Sequence, residues 1–397
     1  MRSILWRYSA VLLVVWLVLS SASTPQVPWP GYGILAPPAT PAPTAAPTAA
    51  PTPAATPRPT PVPPATHGPT VGVWLSRAEL MALPTSGSAW DRLKVQADAG
   101  PGTPVDLSCQ DSQHSTATMA VALVAARLDS TTYKAKVSSA IAAIIGTESG
   151  SSCGHGDRNR ILGVGRNLTA YVIAADLIDL RSYDPTLESR FRTWLSALRT
   201  KPPTAAYPTL TLANGDATDA GNWGAYEAAS RAAAAVYLAD TADTARSAEA
   251  LRHFLTDGVG FKWSGDTSWA CDPAHPTPVN GSCSRDGHSL DGVIPMDMRR
   301  GGSFQWPPLV TQYPRENLVG RSIQAEILSR AGYATYDWGN RALLRASQQL
   351  LALDALNADW YEPGIHAYWL IRSHLGVLPV SGRTVGRGVS GVDWTHG

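Results

Sequence analysis

The sequence predicts an all-α protein whose paired antiparallel helices form an α/α barrel or toroid. Apolar residues recur at helical spacing through most of residues 70–397, and strand-like alternation is weak throughout. Two-residue turns such as Asp129-Ser130 and Ala239-Asp240 separate the helices in pairs. A plain bundle would use fewer, longer helices, and a solenoid would show a repeat period, which this chain lacks.

The chain has 397 residues, a formal net charge of +1 and 16% charged residues. That balance excludes a nucleic-acid binder relying on many phosphate contacts. Residues 1–23 carry Arg2 and Arg7, then an apolar run, then small residues. This is the layout of a signal peptide, with an uncleaved N-terminal anchor as the other reading. Residues 24–69 are Pro, Ala and Thr with almost no charge. They predict a semi-rigid linker rather than a fold. A secreted or cell-surface location follows.

Residues 70–397 contain no further Pro/Ser-rich break and are expected to form one domain. Helices are expected over 74–83, 88–99, 115–128, 131–145, 167–180, 185–198, 222–238, 241–255, 315–331 and 338–356. In the second, Ser88 stands as an N-cap, with Trp90, Leu93 and Ala97 on one face. In the fourth, Tyr133, Val137, Ile141 and Ile144 share a face. Four cysteines in an oxidising compartment allow three pairings. Sequence neighbours are favoured: Cys109 with Cys153, and Cys271 with Cys283.

Candidate chemistry concentrates in two places. The 222–238 helix opens with Asn222, Trp223 and Tyr226, where free backbone N–H groups would favour an anion. A similar helix mouth is expected at Arg166 and Asn167. The stretch from Cys271 to Glu326 adds Asp286, His288, Asp291, Asp297, Arg300, Trp306, Tyr313, Arg315 and Glu316 in a long aperiodic segment, the usual setting of a functional loop. Asp286, His288 and Asp291 lack the ligand spacing of a metal site, so no metal or cofactor is expected. Asn167-Leu-Thr and Asn280-Gly-Ser match the glycosylation acceptor pattern.

Elimination at a uronic acid needs donors that neutralise the sugar carboxylate, a base for the adjacent proton and an acid for the leaving oxygen. Asn222 and Arg300 suit the first role, and Tyr313 beside an arginine suits the others. Asp291 or Asp297 paired with Glu316 would instead suit glycoside hydrolysis. A non-catalytic glycan-binding module on a Pro/Thr stalk is the third possibility.

Two motifs carry a family resemblance. The run NWGAYEAASRAAAAVYLAD from Asn222 to Asp240 resembles the Asn-Asn-His helix of the alginate-lyase-like polysaccharide lyases. DGVIPMDMRR from Asp291 to Arg300 resembles their Asp-Gly-Ser-x-Pro-x-Glu-x-x-Arg segment. Trp223 stands where the family has His, and Trp306 and Pro307 stand where its Tyr falls. The resemblance implies an incomplete α/α toroid and β-elimination on an acidic polysaccharide. Asn222, Arg300, Tyr313 and His288 would be catalytic, His288 standing in for the absent imidazole. Arg166, Asn167, Trp223, Tyr226, Trp306, Arg315 and Glu316 would line the groove, in a monomer without cofactor.

Overall fold

A computed structural model describes residues 72–357, 366–378 and 387–397. The leader and linker expected at residues 1–69 lie outside the described residues. The described chain is all-α, apart from a small antiparallel hairpin of β1 (Ser284–Arg285) and β2 (His288–Ser289) in which Arg285 faces His288. Among the described residues no helix is long and apolar enough to cross a membrane.

The helices are α1 (Arg77–Ala82), α2 (Ser88–Ala99), α3 (His114–Leu128), α4 (Thr131–Ile144) and α5 (Arg160–Leu177). Next come α6 (Leu180–Tyr183), α7 (Pro185–Leu198), α8 (Leu212–Thr218), α9 (Asn222–Tyr237) and α10 (Thr241–Leu255). After the long loop follow α11 (Pro295–Met298), α12 (Tyr313–Arg330), α13 (Trp338–Leu356), α14 (His366–Leu375) and α15 (Val392–Thr395). Local chemistry starts several of them. Ser76 and Glu79 form a reciprocal capping box at α1. Asp184 accepts from the Leu187 N–H, with Pro185 in the first turn of α7. Asp240 caps α10 in the same way.

Burial sorts the longer helices into two rows. α3, α5, α9 and α12 are buried along most of their length, and each packs on the next. α4, α7, α10 and α13 bury one face and expose the other, as helices flanking a core do. α9 is the hub, touching α5, α8, α10 and α12. Its small residues let neighbours come close. A Cβ on Gly165 of α5 would lie 2.9 Å from the Glu227 nitrogen, and one on Gly320 of α12 would lie 2.6 Å from the Ala225 carbonyl carbon.

An interior ion network ties four helices together. Arg231 meets Asp216 at 3.1 Å and Asp243 at 2.8 Å, and Arg321 meets Asp216 at 3.3 Å. Gln324 adds a bond to Asp216 at 2.9 Å. Burying these charges is tolerable because each has partners. The disulfides join Cys109 to Cys153 and Cys271 to Cys283, as the neighbour pairing expects.

One expected boundary is wrong. α5 begins at Arg160 rather than at 167, so Arg166 and Asn167 lie inside a helix and have no anion-binding mouth. Gly163 and Gly165 look like loop residues in sequence. They are glycines because other backbone crosses there: a Cβ on Gly163 would lie 2.0 Å from the Ser108 carbonyl oxygen.

Candidate functional site

A cavity of about 420 Å³ opens beside the start of α9. Its walls come from α8, the turn into α9, residues 262–264, and α11 with the arginines that follow it. Asp219 Oδ1 accepts the Gly221 N–H at 2.7 Å, which shapes the turn. Lys262 donates its backbone N–H to the Thr218 carbonyl at 2.9 Å, fixing residues 262–264 along the cavity edge.

Asn222 lines this cavity and is only 2% exposed, yet among the described residues its side-chain Nδ2 has no hydrogen-bond partner. A buried donor without a partner is uncommon and calls for a reason. Its backbone N–H is used: it donates to Asp297 Oδ1 at 3.3 Å. Asn317 Nδ2 donates to Asp297 Oδ2 at 2.7 Å and to the Ala220 carbonyl at 2.8 Å. The group that meets the backbone at the α9 terminus is therefore the chain's own Asp297 carboxyl.

Asp297 couples the two sequence motifs, since it lies three residues before Arg300 and holds the residue that opens α9. Burial pushes its carboxyl up to about 8. The Asn317 and Asn222 bonds and the Arg300 charge oppose this, and the Asp219 charge adds to it. Glu227, 3% exposed, also lines the cavity. Burial and the neighbouring Asp219 charge hold its carboxyl well above the usual range, against the opposing Arg321 charge.

Cations and aromatics surround these acids. Arg158, Lys262, Arg299 and Arg300 line the cavity with Trp223 and Trp263. The Arg158 guanidinium lies 5.5 Å from the Trp223 ring centre, and that of Arg300 lies 3.9 Å from the Tyr313 ring centre. Arg299 reaches Met296 Sδ at 3.2 Å. Arg300 is exposed and so accessible to a ligand.

The structure therefore brings Asn222, Trp223 and Arg300 together, with Tyr313 held against Arg300. The remaining expected site residues lie elsewhere. His288 stacks on Trp306 with centroids 4.3 Å apart, and neither lines the cavity. Arg166 pairs with Glu316 at 2.7 Å, and Asp157 pairs with Arg160. Tyr226 is buried below the Arg166 guanidinium. Burial and then the Glu316 charge raise its hydroxyl well above its ordinary value. Asn167 is buried and donates to the Leu107 and Cys109 carbonyls. Arg315 is buried against Asp354 at 2.5 Å. Arg166, Asn167, Tyr226, Arg315 and Glu316 are thus engaged by neighbours within the chain and do not line this cavity.

The hydrolytic pairing changes too. Asp291 is bound by Arg345 and Glu316 by Arg166, so of those three acids Asp297 alone lines the cavity. Both glycosylation patterns fall on buried asparagines. Asn280 is fully enclosed, bonded to the Cys271 N–H and the Trp269 carbonyl.

Comparison of the chain with protein-family models, curated proteins and solved structures found no match. Chemically, the cavity offers an amide donor without a partner among the described residues, several cations, two indole faces and three carboxyls, two of which burial shifts toward their neutral form. Such a set can bind an anionic sugar and move protons around it.

Proposed function

We propose that the chain is an exported polysaccharide lyase-like protein that cleaves a uronate-containing polysaccharide by β-elimination on an incomplete α/α toroid. The observation that carries this reading is the shared cavity of Asn222 and Arg300, with the Asn222 amide buried and unfilled. A sugar carboxylate would accept from that amide and from Arg300, which makes the proton on the adjacent carbon more acidic. Lys262, Arg158 and Arg299 draw a polyanion to the opening, and Trp223 and Trp263 offer faces for pyranose rings. The buried row of α3, α5, α9 and α12 beside the one-faced helices supports the toroid. Two disulfides among the described residues fit an oxidising, extracytoplasmic setting.

A second reading, glycoside hydrolysis, is favoured by the carboxyls of Asp219, Glu227 and Asp297 in the same cavity. One experiment separates the two. The full chain is incubated with polymannuronate, polyguluronate, polyglucuronate and polygalacturonate. Elimination raises ultraviolet absorbance through a new carbon–carbon double bond. New reducing ends without that absorbance would replace the lyase reading by the hydrolytic one.

A further inference from the structure

Resting on the lyase reading, we infer that Glu227 donates a proton to the leaving glycosidic oxygen and that the Asp219 carboxylate takes the proton from the carbon beside the sugar carboxylate. The balance is simple. The carbon–hydrogen bond breaks and its proton goes to Asp219. Its electron pair forms the carbon–carbon double bond, the carbon–oxygen bond breaks, and the oxygen leaves with the Glu227 proton. Exchange with water then restores both acids.

Geometry singles out Glu227. It lines the cavity, is almost wholly enclosed, and among the described residues no hydrogen bond reaches its carboxyl. A structural acid in a helix interior is normally satisfied by partners. Asp297 shows the contrast, since both its oxygens already accept from Asn222 and Asn317. The chain also keeps room for the Glu227 carboxyl. A Cβ on Gly215 of α8 would lie 1.4 Å from Glu227 Oε2.

The charged groups that bear on Glu227 are Asp216 of α8, Asp219 after it, and Arg321 of α12. Arg321 is already engaged by Asp216, by Gln324 at 3.0 Å and by the Asp219 carbonyl at 3.2 Å. Glu227 is thus left without a counter-ion of its own, and burial favours its neutral form. A protonated carboxyl can give a proton and does not repel a uronate. The unfilled Asn222 amide in the same cavity is the independent sign that a polar ligand belongs there. His288 and Tyr313 do not line the cavity, so neither competes for the role by position.

The test compares the full-length wild type with Glu227→Gln and Gly215→Ala on whichever uronate polymer the wild type unsaturates. Gln keeps the size and neutrality of the side chain but cannot donate as an acid. Ala at 215 leaves the glutamate in the chain and displaces its end. The expected result for both is a fall in kcat on the order of 10²–10³-fold, with KM within about twofold. Wild-type kcat in Glu227→Gln overturns the inference. If that variant fails to fold, wild-type kcat in Gly215→Ala overturns it. A wild type that produces no unsaturated ends from any polymer overturns the lyase reading itself. Reducing ends without unsaturation that vanish in Glu227→Gln overturn the elimination step and make Glu227 the acid of a hydrolysis.

Discussion

Replacing Asp297 by Asn should change how stability depends on pH more than it changes stability at any single pH. In the native state the Asp297 carboxyl is pushed up to about 8, chiefly by burial, from an ordinary value of 3.8. Its native affinity for the proton exceeds that of the unfolded chain. Its contribution to stability is therefore complete below about pH 4 and is lost as pH rises towards 8. Between pH 5 and pH 7 the unfolded carboxyl is ionised and the native one is not, so folding weakens by about 1.4 kcal/mol per pH unit. Over that interval the loss is roughly 3 kcal/mol, with little solvent screening because the side chain is 1% exposed. Glu227 and Asp176 are shifted the same way and steepen the wild-type curve, so the difference between the two proteins is what isolates Asp297. At pH 5 Asp297→Asn should be the less stable protein, because one amide oxygen replaces two acceptors for Asn222 and Asn317. By pH 7 the difference should have moved by roughly 3 kcal/mol in favour of the variant. Urea denaturation of both proteins at pH 5, 6 and 7 measures this. Parallel curves, with a constant difference, would refute the account of Asp297 as a buried acid whose charge is disfavoured.

Asn222→Ala should lower kcat/KM on a uronate polymer by about 10²-fold or more, while leaving the denaturation midpoint nearly unchanged because among the described residues the amide Nδ2 makes no hydrogen bond; equal rates of unsaturation would remove it from the site. Arg321→Ala should destabilise the fold by about 3–5 kcal/mol, read by urea denaturation, since it strips a partner from the enclosed Asp216; a loss below about 1 kcal/mol would show that Arg231 alone suffices. Joint replacement of Cys109 and Cys153 by Ala opens a loop spanning 44 positions and should lower stability by up to about 4 kcal/mol in the same assay, with Asn222 function retained at low temperature.

Much of the frame was legible because helical periodicity survives where one face meets a core. The spans at 88–99, 185–198 and 241–255 fall where the structure has α2, α7 and α10. The reading failed where helices cross most tightly. Gly163 and Gly165 resemble loop glycines until the Ser108 backbone is seen against the first and α9 against the second, and α8, with Asn214 and Gly215 in seven residues, is too short to show a period. In the site, Asn222, Trp223 and Arg300 could be found from motif order. Glu227 could not be weighed, because a single acid in an alanine-rich helix reads as a solvent-facing residue until the helix proves buried on all sides. One signal was present: Glu227 and Arg231, four apart, are the charged residues in a run otherwise made of small side chains. Arg166 and Glu316 looked like groove residues because their pairing spans 150 positions.

The close fit of α9 between Gly165 and Gly320 constrains how such a protein can diversify. A larger side chain on the buried faces of α5, α9 or α12 would push apart backbones that already touch, so the frame admits few changes. Lys262, Trp263, Arg299 and Arg300 sit on segments outside that crossing and can be exchanged, lengthened or recharged without moving it. Descendants of this chain would therefore be expected to change the lining at the rim of the cavity while keeping the same three helices in register beneath it.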